Sequence, residues 1–119
     1  MQWIRVFLAV GFVAAAGLGF VTVMESAKLV PADGTAGAQF AGSAAAAGST
    51  AVFGAEGDSP NGAGSGSAYV AVRTGTTWSQ QAKIVPADGA AGDGFGKSVA
   101  VSADTLVVGS PRDDDGGAD

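Results

Sequence analysis

From residue 66 onward, apolar and polar positions alternate in short runs. "GSAYVAVR" (66–73) sets Ala68, Val70 and Val72 against Tyr69 and Ala71, and "KSVAVS" (97–102) sets Val99 and Val101 on one face. A period of two predicts half-buried β-strands. "TWSQQAKIV" (77–85) follows the turn "TGT" as the next strand. "TLVVGS" (105–110) returns from "KSVAVS" through a two-residue turn at Ala103-Asp104, and Pro111 stops it. The N-terminal stretch, 1–24, differs. Arg5 is followed by an uncharged run from Val6 to Met24. The length of that run lies between the core of an export signal and the roughly 20 residues of a membrane-spanning helix. The expectation is an apolar N-terminal helix in 1–24, as a signal peptide or a membrane anchor, with the rest outside the cytoplasm.

The strand pattern is written twice. "AKLVPADGTAGAQFAGSAAAAGSTAVFGAE" begins at Ala27, and "AKIVPADGAAGDGFGKSVAVSADTLVVGSP" begins at Ala82. Placing Ala27 on Ala82 aligns 26–64 with 81–119 without a gap and gives 18 identities in those 39 positions. Unrelated sequence would give only a few, so the chain is internally duplicated. Two units follow, 25–80 and 81–119, the second incomplete. Each full unit predicts four antiparallel strands joined by Gly/Asp-rich turns. Such a sheet is the blade of a β-propeller, and a β-solenoid or stacked hairpin array is the rival. The fold class is therefore all-β, as four-stranded antiparallel blades of a partial propeller with about two repeats. In the first copy Ala44 and Ala46 replace Val99 and Val101, so the 43–47 strand is expected to be the least stable.

Composition sharpens this. Glycine occurs 20 times, and charged residues make up only 14% against roughly 25% in ordinary globular chains. A net charge of −5 with no basic stripe removes nucleic-acid binding. The chain has no cysteine and no histidine, so a Ser-His-Asp or Cys-His mechanism cannot be built from it. No carboxyl pair has surroundings that would fit it for acid catalysis. "GDGFG" (92–96) lacks the preceding buried strand and following helix of a phosphate-binding loop. The one dense acidic cluster is Asp113 to Asp119. Asp113, Asp115 and Asp119, with Gly116 allowing a bend, fit the later half of a calcium loop. The first ligand position would fall on Pro111, which cannot serve, and a solvated acidic turn explains the cluster as well.

Phe95-Gly96, "SVAVSADTLVVG" and Gly109-Ser110-Pro111 resemble an FG-GAP repeat, the blade unit of integrin-α-type β-propellers. Trp78 to Lys83, Asp88 to Asp93 and Asp113 to Gly116 are similar to the bacterial form of that repeat. The first copy is degenerate, with Phe40-Ala41 for Phe-Gly and Gly54-Ala55-Glu56 for Gly-Ala-Pro. The resemblance implies a non-catalytic extracytoplasmic propeller, secreted or on the cell surface, that binds a protein or glycan partner. It implies further blades of the same propeller as partners, membrane contact only through the N-terminal segment, and Phe95 as a plug between blades. It also puts a calcium loop before the Val-Leu-Val-Gly strand, where this chain has the short turn Ser102-Ala103-Asp104. No cofactor is required. The alternatives are a propeller piece of a larger secreted enzyme and a truncated remnant.

Overall fold

The structure, a computed structural model, describes residues 28–114. The N-terminal apolar run, Asp115 and Asp119 lie outside the described residues. Six strands form two antiparallel sheets. β1 (Ser43–Ala47), β2 (Thr50–Ala55), β3 (Ser67–Thr74) and β4 (Thr77–Ile84) pair in sequential order as one four-stranded sheet, blade 1. β5 (Ser98–Ser102) and β6 (Thr105–Gly109) form a second, two-stranded sheet, blade 2. The alternation in the sequence thus marks real strands to within about a residue at each end. Blade 1 closes at Ile84, so its sheet is out of phase with the sequence units that meet at residue 80.

Residues directly opposite in an antiparallel pair share a face. The register sets Ala44, Phe53, Tyr69 and Lys83 in one row across blade 1, and Ala46, Ala51 and Ala71 in the next. This first face holds the core: Ala51, Phe53, Ala55, Tyr69 and Ala71 are buried, with Leu29, Phe40, Ala41 and Trp78 packed against them. The Phe40 ring lies 5.5 Å from that of Phe53 and edge-on to Tyr69 at 5.1 Å, arrangements that suit aromatic quadrupoles. Ala44 and Ala46 stay exposed on this face, while Ser43, Ala45 and Ala47 are half-buried on the other. β1 is an edge strand, and a methyl group there is too short to reach the aromatic cluster.

The second face of blade 1 receives blade 2. Val52 is fully buried on it. At its centre two backbones touch. A Cβ at Gly54 would collide with the Gly96 carbonyl, and a Cβ at Gly96 with the Ser67 carbonyl. Only glycine permits this approach. The Ser43 hydroxyl donates to the Gly96 carbonyl at 2.7 Å, so the contact is also hydrogen-bonded. Beside it, the amides of Gly92, Gly94 and Phe95 donate to the carbonyls of Ala63, Gly64 and Ser65 at 2.9–3.0 Å. Phe95 is therefore fixed at the seam between blades by its own backbone. The other two "GDGFG" amides, of Asp93 and Gly96, donate to the Ala90 and Gly109 carbonyls, so a phosphate would have to displace existing bonds. Among the described residues no helix is long and apolar enough to cross a membrane.

Candidate functional site

Two polar groupings stand out, one partly buried in blade 1 and one open between the blades. The first is built around Lys83. In β4 it stands directly opposite Tyr69 of β3, and its ammonium lies 5.2 Å from the Tyr69 ring centre. It pairs with Asp33 from the turn ahead of β1, and with Asp58 from the turn after β2 at 2.8 Å. Tyr69 Oη donates to Asp33 Oδ1 at 2.9 Å, and Ser67 Oγ donates to Asp58 Oδ2 at 2.6 Å. The Ser59 amide donates to Asp58 Oδ1 at 2.9 Å. Every buried side-chain polar atom among the described residues has a partner, as burial demands.

The hydrogen bond from Lys83 holds the Asp33 carboxyl below the usual carboxylate range. Burial pushes Asp58 up, but the bonds from Lys83, Ser67 and the Ser59 amide outweigh it and leave Asp58 lowered as well. Burial opposes the charge on Lys83 too, and its bonds to Asp33 and Asp58 more than offset this, so Lys83 is raised. Burial likewise raises the Tyr69 phenol. All four groups are thus locked in their ordinary neutral-pH forms. The cluster stabilises charge and lacks an acid or base poised near neutrality.

The second grouping is an open cleft of about 440 Å³ lined by Gln39, Glu56, Gly57, Ala63, Gly64, Gly92 and Arg112. Its walls come from the turn before β1, the β2–β3 loop and the loops of blade 2. Lys97 Nζ of blade 2 pairs with Glu56 Oε2 of blade 1 at 3.0 Å beside it. The Arg112 amide donates to the Asp93 carbonyl at 3.2 Å, which fixes the backbone that carries the guanidinium. Gln39, Glu56 and Arg112 thus line one open space, with the Glu56 carboxylate already paired to Lys97.

Of the three residues that sequence nominates for calcium, the structure describes Asp113 alone. It is exposed, and its amide donates to the Ser110 carbonyl at 3.3 Å. No three carboxylates converge among the described residues. Asp58, the counterpart of Asp113 one repeat earlier, is the buried anchor of the Lys83 cluster. The signal for that cluster was in the duplication. Lys83 repeats Lys28, Asp33 recurs as Asp88, and Asp58 recurs as Asp113, each pair one repeat length apart. The repeated charges were legible, but their convergence from three turns and strands was not.

No curated protein and no solved structure matches the chain. The profile of the FG-GAP repeat matches residues 23–71 and again 78–119. The start of the second match lies one repeat length beyond the start of the first, in step with the duplication, and the second takes in the Phe95-Gly96 pair that meets Gly54. Since 78–119 and 23–71 together cover most of the chain, the protein belongs to the FG-GAP repeat family.

Proposed function

We propose that the chain is a non-catalytic, extracytoplasmic binding module that takes polar groups of a protein or glycan partner in the cleft between its blades. The observation that carries this reading is the convergence of Gln39, Glu56 and Arg112, from loops of both blades, on one open space. An amide, an acceptor-only carboxylate and a planar five-donor guanidinium are the groups that read sugar hydroxyls, carboxylates and peptide amides. Binding needs no cofactor. In support of a non-catalytic role, the described residues with shifted ionisation, Asp33, Asp58, Tyr69 and Lys83, are tied to one another, and none of them lines this cleft. The apolar run at 6–24 supports export.

The test is a titration of the full chain with panels of neutral oligosaccharides, acidic oligosaccharides and peptides, followed by NMR. A ligand that shifts the signals around Gln39, Glu56 and Arg112, and loses its affinity with Arg112→Ala, supports the proposal. A panel with no such ligand counts against it. Surface labelling of intact cells tests the location, and unlabelled chain would contradict export. Calorimetry with Ca²⁺ is expected to show no heat, because no three carboxylates converge among the described residues.

A further inference from the structure

Neither the lysine cluster nor the cleft uses Asn61, which stands at the joint between the blades. It is the only asparagine of the chain, and a glycine follows it. Both residues are exposed. The Asn61 carboxamide crosses from the β2–β3 loop of blade 1 to the turn at Pro86–Gly89 that leads into blade 2. There Nδ2 donates to the Pro86 carbonyl at 3.0 Å, the side chain's only hydrogen bond among the described residues. A Cβ on Gly89 would lie 3.0 Å from the same nitrogen, and one on Gly62 would lie 3.0 Å from the Ala91 methyl. The chain is thus held against blade 2 on both sides of the Asn61-Gly62 peptide bond. The next two residues begin the lacing of the seam, because the Ala63 and Gly64 carbonyls accept from the Gly92 and Gly94 amides at 2.9 and 3.0 Å.

We propose that Asn61-Gly62 is a self-modification site whose conversion releases the β2–β3 loop from blade 2. Gly62 has no side chain to shield its amide nitrogen, and the Asn61 carboxamide lies within reach of that nitrogen along the chain. Having lost its proton to solvent, the nitrogen attacks Asn61 Cγ. The new N–Cγ bond closes a succinimide ring as the Cγ–Nδ2 bond breaks, and Nδ2 leaves as ammonia with a proton from water. Water then opens the ring at either carbonyl. One opening leaves aspartate in place of asparagine. The other leaves isoaspartate, whose main chain runs through Cβ and Cγ and is longer by one atom. Both products exchange an amide donor for a carboxylate that only accepts. That carboxylate meets the Pro86 carbonyl, also an acceptor, beside the turn that carries Asp88. The longer main chain has no slack to take up, because Gly62 already abuts Ala91. The release belongs to the joint itself and holds whatever the cleft binds.

The test is to age the full chain in warm, mildly alkaline buffer and follow it by mass. Asn61 conversion adds the mass that separates aspartate from asparagine, whereas isomerisation at the Asp-Gly bonds adds none. Leaving the Pro86 carbonyl breaks one exposed hydrogen bond, so the folded chain should convert within about tenfold of the rate of chain unfolded in guanidinium chloride. Peptide mapping should place the change at Asn61, as aspartate and isoaspartate. In the converted chain the Gly92 and Gly94 amides should exchange about tenfold or more faster than in fresh chain, with 51–55 unchanged. Asn61→Gln, whose larger ring closes far more slowly, should keep its mass and its protection through the same incubation. A folded chain that converts more than about tenfold slower than the unfolded one overturns the proposal. So does converted chain with protection intact at Gly92 and Gly94, or an Asn61→Gln chain that loosens on the same schedule.

Discussion

Burying most of Lys83 between two carboxylates removes hydration that only its ion pairs and hydrogen bonds return. The partners are unequal. The side chain of Asp58 is 8% exposed and that of Asp33 is 51% exposed. Lys83→Met should therefore cost about 3 kcal/mol, since it leaves Asp58 charged and dry. Asp33→Asn should cost about 1 kcal/mol or less, because solvent screens that half of the pair. Urea unfolding of the two variants checks the order. The cluster also sets the pH range of stability. Asp33 and Asp58 are lowered, so their contribution is present above the ordinary carboxyl value of 3.8 and falls away as pH drops through their folded values. Lys83 is raised, so its contribution is complete below the ordinary value of 10.5 and is lost only as pH rises beyond it. The melting temperature should form a plateau between these limits with a steep acid edge, and Lys83→Met should flatten that edge. Sequence reading finds Asp33, Asp58 and Lys83 as repeated positions and places Tyr69 and Lys83 in adjacent strands. It cannot find the cluster, because Asp33, Asp58, Tyr69 and Lys83 meet only once four strands have been placed in register.

Strands were legible because alternation, turn residues and duplication all agree at 66–85 and 97–110. Turn geometry was less so. Both copies hold the same backbone shape while their residues have diverged. Gly94 and Gly96 have φ of 67° and 92°, and their counterparts Gln39 and Ala41 are held at 55° and 62°. The β1–β2 turn uses Gly48 at 58°, and the β5–β6 turn uses Ala103 at 50°. Left-handed backbone suits glycine and strains alanine by about 1–2 kcal/mol. Ala103 is exposed and loses no packing on replacement, so Ala103→Gly should raise stability by about 1 kcal/mol, seen as a higher urea midpoint. Ala41→Gly should gain less, because the Ala41 methyl packs against the core. The β1 strand, with exposed alanines and one neighbour, is expected to exchange its amides first in blade 1.

Across the whole molecule, equivalent positions in the two blades do different work. Val52 is 0% exposed under blade 2, whereas Val107, its counterpart, is 61% exposed. Val52→Ala should cost about 2 kcal/mol in thermal unfolding. Val107→Ala should change it by no more than about 0.5 kcal/mol. One side of blade 2 thus still presents the apolar surface that blade 1 buries, an exposure the sequence could not reveal because both valines sit in the same motif. The centre of the seam between blades rests largely on main chain. Gly54 and Gly96 meet main chain to main chain, and Ser43 spans the same gap. A junction made of peptide groups is indifferent to most of what mutation changes. Copies as unlike as "SAAAA" and "SVAVS" can therefore stack on one another as long as two glycines and a serine persist. That makes the repeat an interchangeable part: units can be duplicated, reordered or exchanged by recombination without redesigning the joint.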